Sequence, residues 1–392
     1  MGRLYRGILV QPFGVEVWIM AERKENLDDI VAAIWSSSVL HRETMAMIEE
    51  NGECRTPFAR VPERVLRVES YDGQQVYEEN RDYVVENGEL IRTKNSTIPC
   101  AKWGDLFYTS EMEATAGQKR EEARRGKPLG FGPVATTDDR YINLSGIENP
   151  SYITQWQIAV TYETKEQWTE WHPVSQLDAL PNFTGKISRR EPARIVLYGD
   201  SISCGYDCSG MYGLPPHQPI WPELLLELLK RENPQTTLIN TAVGGMDSVW
   251  GIEHASERVC AYRPDLVILA FGMNDRCSGE EFGERIRELM TVIRRELPAV
   301  EFLLVSTTLP NVLAATPPIY FCSHQEEQGK VLREMCGRCE GTSLADVQRM
   351  QQILECRKRY IDLTGNWLNH PNDYLARVQL QVIAAALGLL QG

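Results

Sequence analysis

Arg194-Ile195-Val196-Leu197-Tyr198-Gly199-Asp200-Ser201-Ile202-Ser203 is the stretch on which the fold turns. A short β-branched apolar run that stops at a glycine reads as a buried strand breaking off at its carboxyl end. In open α/β sheets that end is where ligands bind. A serine held there, ahead of a helix, has an exposed hydroxyl, and its own backbone N–H can point at a developing oxyanion. Taken alone, Gly-Asp-Ser would serve equally well as a turn with a serine N-cap.

Three further segments change that balance. Thr237 to Val243 reads as a second strand and ends in Gly244-Gly245-Met246-Asp247. Asp265 to Phe271 reads as a third and ends in Gly272-Met273-Asn274-Asp275, while Asn369-His370-Pro371-Asn372-Asp373 immediately precedes a helical pattern. Position 203 is Ser, so the first segment is not the G-x-S-x-G elbow of α/β-hydrolases. Ser, Gly, Asn and His occur in the order, and at the strand ends, that resembles the blocks of the SGNH (GDSL) hydrolases. The resemblance runs from Ile195 to Leu390, roughly half the chain.

A serine hydroxyl is a poor nucleophile near neutral pH and needs a base; histidine suits because its pKa lies close to the working pH. The tetrahedral intermediate places charge on the former carbonyl oxygen, so donors must already be aimed there. The resemblance implies Ser201 as nucleophile and His370 as base. It implies an oxyanion hole from the backbone N–H groups of Ser201 and Gly245 and the side-chain amide of Asn274. Glycine at 245 suits close approach of backbone to substrate; Gly244 is the alternative, one residue away.

One part of the family's pattern is absent. The Asp usual three residues before the histidine is replaced by Trp367. The chain is similar in this respect to SGNH carbohydrate esterases with a Ser-His dyad, so His370 Nδ1 is expected to face a backbone carbonyl or a nearby Asn. Asn366, Asn369 and Asp362 are the alternatives for a third group. Asp200 and Asp275 are read as satisfying backbone donors in their own turns.

The net charge of −13 argues against nucleic acid and anionic membrane surfaces as partners. The expected partner is a small-molecule or oligosaccharide ester, with homo-oligomer formation left open and no cofactor or metal. Residues Met1 to Pro12 have too short an apolar core for a secretory signal, which sets the expectation of a cytoplasmic protein. Ten cysteines fall short of a disulfide scaffold. Cys336, Cys339 and Cys356 lack a second pair or a nearby His, and are read as reduced thiols, with Cys204 and Cys208 as packing.

The half before Arg194 has another texture. Arg64 to Tyr71 alternates, as does Asp82 to Glu86, and Asn87-Gly88 joins the latter to Glu89-Leu90-Ile91-Arg92, a strong hairpin signal. Ser151 to Tyr162 reads as a strand or a pair of strands. The apolar spacing of Ile30, Val31, Ile34 and Trp35 predicts a helix from Asp28 to Glu50 capped by Asp28, and Gly117 to Gly132 reads as an exposed loop. After Arg194, strands alternate with helices at 221–231, 279–296, 325–336 and 374–390, with further strands at 301–307 and near 344–347.

The fold expected is thus an α/β, SGNH-type (flavodoxin-like) doubly wound parallel sheet over 191–392, preceded over 1–190 by a mostly β, jelly-roll-like sandwich that is carbohydrate-binding or site-completing. The resemblance to two-domain carbohydrate esterases implies a serine esterase removing acetyl groups from a carbohydrate. Trp221, Trp250 and Trp367 stand near the blocks as candidate sugar platforms or as core. A lipase or thioesterase of the same fold, and a carbohydrate-binding protein with a decayed site, are the alternatives.

Overall fold

A computed structural model describes residues 26–314 and 324–390; the reading of Met1 to Pro12 falls outside them. Five strands form a parallel sheet in the order Thr237–Asn240, Arg194–Gly199, Leu266–Ala270, Glu301–Val305 and Thr342–Ala345. The chain enters at the second position, steps to one edge, then crosses back to fill the other side. That reversal opens a crevice at the carboxyl ends of the strands Arg194–Gly199 and Leu266–Ala270. These strands are buried on both faces, which is why they read as continuous apolar runs rather than alternating ones.

Amphipathic helices cover the sheet. The helix Gly279–Glu296 starts at Ser278, whose side chain accepts from Glu281 N, and carries Glu280 and Glu281 in its first turn and Arg294 and Arg295 in its last. Its buried face is Phe282, Ile286, Leu289, Met290 and Ile293. The last helix, Asp373–Ala386, differs: each of its residues is buried.

The earlier half is mainly antiparallel. One sheet has the order Val39–Ala46, Gln157–Glu163, Arg64–Ser70 and Val76–Tyr77, and a second runs through Tyr83–Glu86, Glu89–Arg92, Glu53–Pro57, Ile48–Glu50 and Ala101–Lys102. The Asn87-Gly88 hairpin forms as read, with φ of 53° and 77° at its two turn residues.

Three readings of this half are corrected. The helix expected from Asp28 to Glu50 is only Leu27–Val31, and its cap is Asn26. Ile30, Val31, Ile34 and Trp35 are all buried as the spacing implied. However, the Ser37 hydroxyl bonds the backbone of Val39 on both sides and ends the turn, and Val39–Ala46 pairs with Gln157–Glu163. The expected loop from Gly117 begins inside a helix, Glu111–Arg125, capped by Ser110 and closed by Gly126. Its apolar stripe is nearly absent, with Ala114, Gly117 and Glu121 the buried positions, so periodicity could not announce it. The stretch from Ser151 opens as the helical turn Ser151–Thr154, and its strand starts at Gln157.

The antiparallel and parallel parts share one hydrophobic core. Leu40, Met45, Val160 and Tyr162 from the first pack in the same cluster as Ile195, Leu197, Leu375, Val378 and Val382 from the second. The polar groups of the buried last helix are matched across this seam: Arg377 donates to Arg42 O (2.7 Å), and Gln381 accepts from Ile34 N (3.2 Å) and donates to Ala32 O (2.9 Å). Deeper still, Lys358 Nζ lies 2.6 Å from Glu43 Oε1 with both side chains fully enclosed, and Glu43 also accepts from Tyr162 OH and Ala59 N.

Removing one partner of such a pair leaves a charge buried and uncompensated. Lys358→Met is expected to lower the unfolding free energy by about 3–5 kcal/mol. Urea melts of the full chain measure this, and a loss below about 1 kcal/mol, the scale of an exposed pair, would show that the pair does not pin the two parts together.

Candidate active site

The strand Arg194–Gly199 delivers Ser201 to the crevice. Asp200, not Ser201, is the N-cap: its side chain accepts from Ile202 N at 3.0 Å, and Ser201 opens the short helix Ser201–Cys204. Ser201 Oγ then stands 2.8 Å from His370 Nε2, the contact expected of a nucleophile and its base. Asp200 is enclosed and its Oδ2 has no partner; burial pushes its carboxyl up to about 7, against the pull of the Ile202 amide and of His370. Cys204 and Cys208 are packing, as read, and burial raises both thiols, that of Cys204 to about 12. No cluster of metal-ligating side chains occurs among the described residues.

His370 ends a loop that is closed on itself. Thr364 Oγ1 accepts from Asn366 N and Trp367 N and donates to His370 O, while Gly365 N also donates to His370 O at 3.0 Å. Asn366 Oδ1 accepts the amides of Leu368, Asn369 and His370 at 2.9, 3.0 and 3.1 Å. The imidazole is therefore placed by backbone that has no slack.

The expected dyad is overturned. His370 Nδ1 lies 2.6 Å from Asp207 Oδ2, so a carboxylate orients the ring and completes a Ser-His-Asp arrangement. The alternatives for a third group are otherwise engaged. Asp362 accepts from Ala46 N (2.6 Å) and Arg359 N (3.0 Å), Asn366 holds the loop amides, and Asn369 accepts from Asn366 Nδ2 (3.2 Å). A carboxylate at Nδ1 keeps the proton there and leaves the Nε2 lone pair free to take one from Ser201.

Asp207 follows the serine by six residues, on the turn after the helix Ser201–Cys204, with φ of 63°. Glycine at 365 lets the two loops meet: a Cβ there would fall 2.4 Å from Asp207 O and 3.0 Å from Asp207 Cβ. Sequence reasoning missed Asp207 because it searched at the family's offset from the histidine. Trp367, at that offset, has φ of 64° and is buried against Trp103, Phe107 and Tyr360.

Gly245 and Asn274 follow the strands on either side of Arg194–Gly199. Gly245 has φ of 81° with open space where a Cβ would stand, whereas a Cβ on Gly244 would press on the Tyr206 ring at 3.2 Å. Asn274 Nδ2 donates to Met246 O at 3.1 Å. Gly245 and Asn274 line one cavity of about 460 Å³ together with Asp247, Trp250, Glu253, Arg276 and Arg285. Asp275 bonds the Ser248 amide and hydroxyl, as its turn reading requires. Trp221 and Trp367 are core, with Trp221 Nε1 donating to Ile202 O. Trp250 alone of the three lines this cavity, stacked on His254 at 4.5 Å.

At a parallel-sheet switch point, a serine, a histidine and a carboxylate thus stand in hydrogen-bonding series, the arrangement that nucleophilic-serine hydrolases use. Residues 197–378 match the model of the GDSL-like lipase/acylhydrolase family. Over 86 residues the chain is 29% identical to an arylesterase from Vibrio mimicus, a match covering 22% of this chain and 40% of that protein. Among solved structures it is similar to a two-domain esterase (CEX) active on acetylated mannans, at 21% identity, TM-score 0.42, and coverage of 55% of this chain and 54% of that one. It is also similar to Axe2, an acetylxylan esterase from Geobacillus stearothermophilus, at 14% identity, TM-score 0.41, and coverage of 50% and 94%. No helix among the described residues is long and apolar enough to cross a membrane.

Burial of Asp200 has a pH signature. Its folded pKa, about 7, lies above the ordinary carboxylate value of 3.8, so the native state holds a proton that the unfolded chain has released. Its contribution to stability therefore falls as pH rises between those two values and is constant beyond them. Asp200→Asn keeps the acceptor for Ile202 N and removes this titration. The stability of the variant relative to wild type, from urea melts, is expected to rise from pH 4 to 7 and then level off; a flat difference would show Asp200 to be ionised throughout.

Proposed function

We propose that the protein is a serine esterase that removes short acyl groups, acetyl foremost, from a hydroxylated substrate of carbohydrate type. The observation that carries this reading is the series Ser201 Oγ–His370 Nε2 at 2.8 Å and His370 Nδ1–Asp207 Oδ2 at 2.6 Å. In it, His370 takes the Ser201 proton as the oxygen attacks the ester carbonyl, then gives it to the departing sugar hydroxyl. Water, deprotonated by the same nitrogen, releases acetate and restores the serine. Asp207 holds the tautomer and stabilises the imidazolium. In this reading the Ser201 and Gly245 backbone amides and the Asn274 side chain take the oxyanion, since donors fixed before charge develops need little reorganisation.

The lining of the neighbouring cavity favours a polar substrate over an alkyl chain. Asp247, Glu253, Arg276 and Arg285 would be left desolvated against methylenes, whereas sugar hydroxyls can answer them. A lipase or thioesterase of the same fold would need an apolar channel in that place. The case for a decayed, binding-only site rested on the missing carboxylate, and Asp207 removes it.

Nucleophile and acid are tested together on 4-nitrophenyl acetate. Ser201→Ala is expected to lose on the order of 10⁶ in turnover and Asp207→Asn roughly 10⁴. Asn274→Ala should lose roughly 10²–10³ with little change in KM. Asp207→Asn within about tenfold of wild type, far short of the loss seen for a triad Asp, would return the site to a dyad.

Acyl-chain profiling tests the substrate class. Acetate is expected to be cleaved faster than butyrate, and both far faster than octanoate. An octanoyl ester turned over at the acetate rate would overturn the short-acyl reading in favour of the lipase one.

A further inference from the structure

We propose that Tyr71, on the antiparallel part of the chain, is a positioning residue for the catalytic series, acting through Asp373 and the Ser209 amide on Asp207. This rests on the reading of Asp207 as the acid of that series. The left-handed backbone of Asp207 is one that a non-glycine residue keeps only where its neighbours over-determine it. On the upstream side, Tyr206 N donates to Ser201 O at 3.1 Å. On the downstream side, Ser209 N donates to Asp373 Oδ1 at 2.8 Å, Gln218 N donates to Ser209 Oγ at 3.1 Å, and Gln218 Nε2 donates to Asp373 O at 2.9 Å. Asp373 is thus the group on which the turn after Asp207 closes.

Asp373 lies three residues beyond His370, so one residue ties the acid's turn to the base's loop. It is buried, and burial alone raises its carboxyl. The Tyr71 hydroxyl oxygen accepts from Asp373 N at 3.1 Å, which fixes the backbone from which the carboxylate reaches Ser209 N. Tyr71 is itself held at both ends of its backbone, its N donating to Gln157 O (3.2 Å) and its O accepting from Arg42 Nη2 (2.6 Å). The chain of contacts therefore runs from a fixed strand end through Asp373 to Ser209, two residues after Asp207.

Kinetics of the full-length chain, normalised to the sites that a fluorophosphonate labels at Ser201, test this. Tyr71→Phe keeps the ring and removes the hydroxyl; it is expected to lower kcat about tenfold with KM within about twofold. The acid limb of its kcat/KM profile should move to lower pH, because an ill-placed Asp207 stabilises the imidazolium less. Asp373→Asn, whose amide oxygen still accepts from Ser209 N, should keep more activity per labelled site than Asp373→Ala. Should Asp373→Ala fail to fold, Tyr71→Phe and Asp373→Asn decide the matter. If Tyr71→Phe loses only labelled sites, with kcat and the pH profile unchanged per site while Asp207→Asn is inactive, Tyr71 is structural and the proposal is overturned. If Asp207→Asn is itself fully active, the reading of the acid fails first and the proposal falls with it.

Discussion

The approach of two loops governs this site. The backbone of Asp207 and that of Gly365 are so close that no side chain fits between them, and through that contact the carboxylate reaches the far nitrogen of an imidazole fixed from the other side. His370 has little freedom of its own. Its loop is tied by three amides to a single Asn366 oxygen and by Thr364 to its own carbonyl. It is followed by a helix with no exposed residue. The geometry of the catalytic series is thereby inherited from the core, which is the most rigid support a fold can supply.

That support is assembled from both parts of the chain. The buried last helix needs a covering on the side away from the parallel sheet, and the strand Val39–Ala46 with its partner Gln157–Glu163 supplies part of it. The antiparallel part also provides acceptors and donors for polar groups that would otherwise be stranded. Asn372 Nδ2 donates to Thr44 Oγ1, Gln157 Oε1 and Asp362 O, two residues beyond the catalytic histidine. A boundary drawn between the antiparallel and parallel elements marks a change of architecture, while the core runs through it.

Much of this was legible in the sequence where local signals and global fold agree. The strand Arg194–Gly199, the existence of the strands that follow Thr237 and Asp265, the hairpin at Asn87-Gly88 and the helix Gly279–Glu296 all follow from apolar runs, turn chemistry and capping. The pairing of Ser201 with His370 was legible too. Where the reading failed, tertiary partners had the deciding vote. Val39–Ala46 carries residues that a helix would accept, and only its pairing with Gln157–Glu163 makes it a strand. The helix Glu111–Arg125 shows so little apolar face that its Ser110 and Gly126 caps were its clearest mark.

Asp207 is the instructive miss, because the residue type was right and the address was wrong. What the chemistry demands is an acceptor at His370 Nδ1, and a position in sequence meets that demand only for a given backbone. Here the chain at 367 is turned into the left-handed region and faces an aromatic cluster of Trp103, Phe107 and Tyr360. A carboxylate at that position would be buried without a partner, at a free-energy cost far above that of a tryptophan. With the usual place given over to apolar packing, the carboxylate comes instead from the turn just after Ser201. Both ends of the hydrogen-bond series then hang on one short segment, Ser201 to Asp207, and the imidazole is the bridge between them. An offset motif records how other chains have met the requirement. The hydrogen bond at the ring nitrogen is the requirement itself.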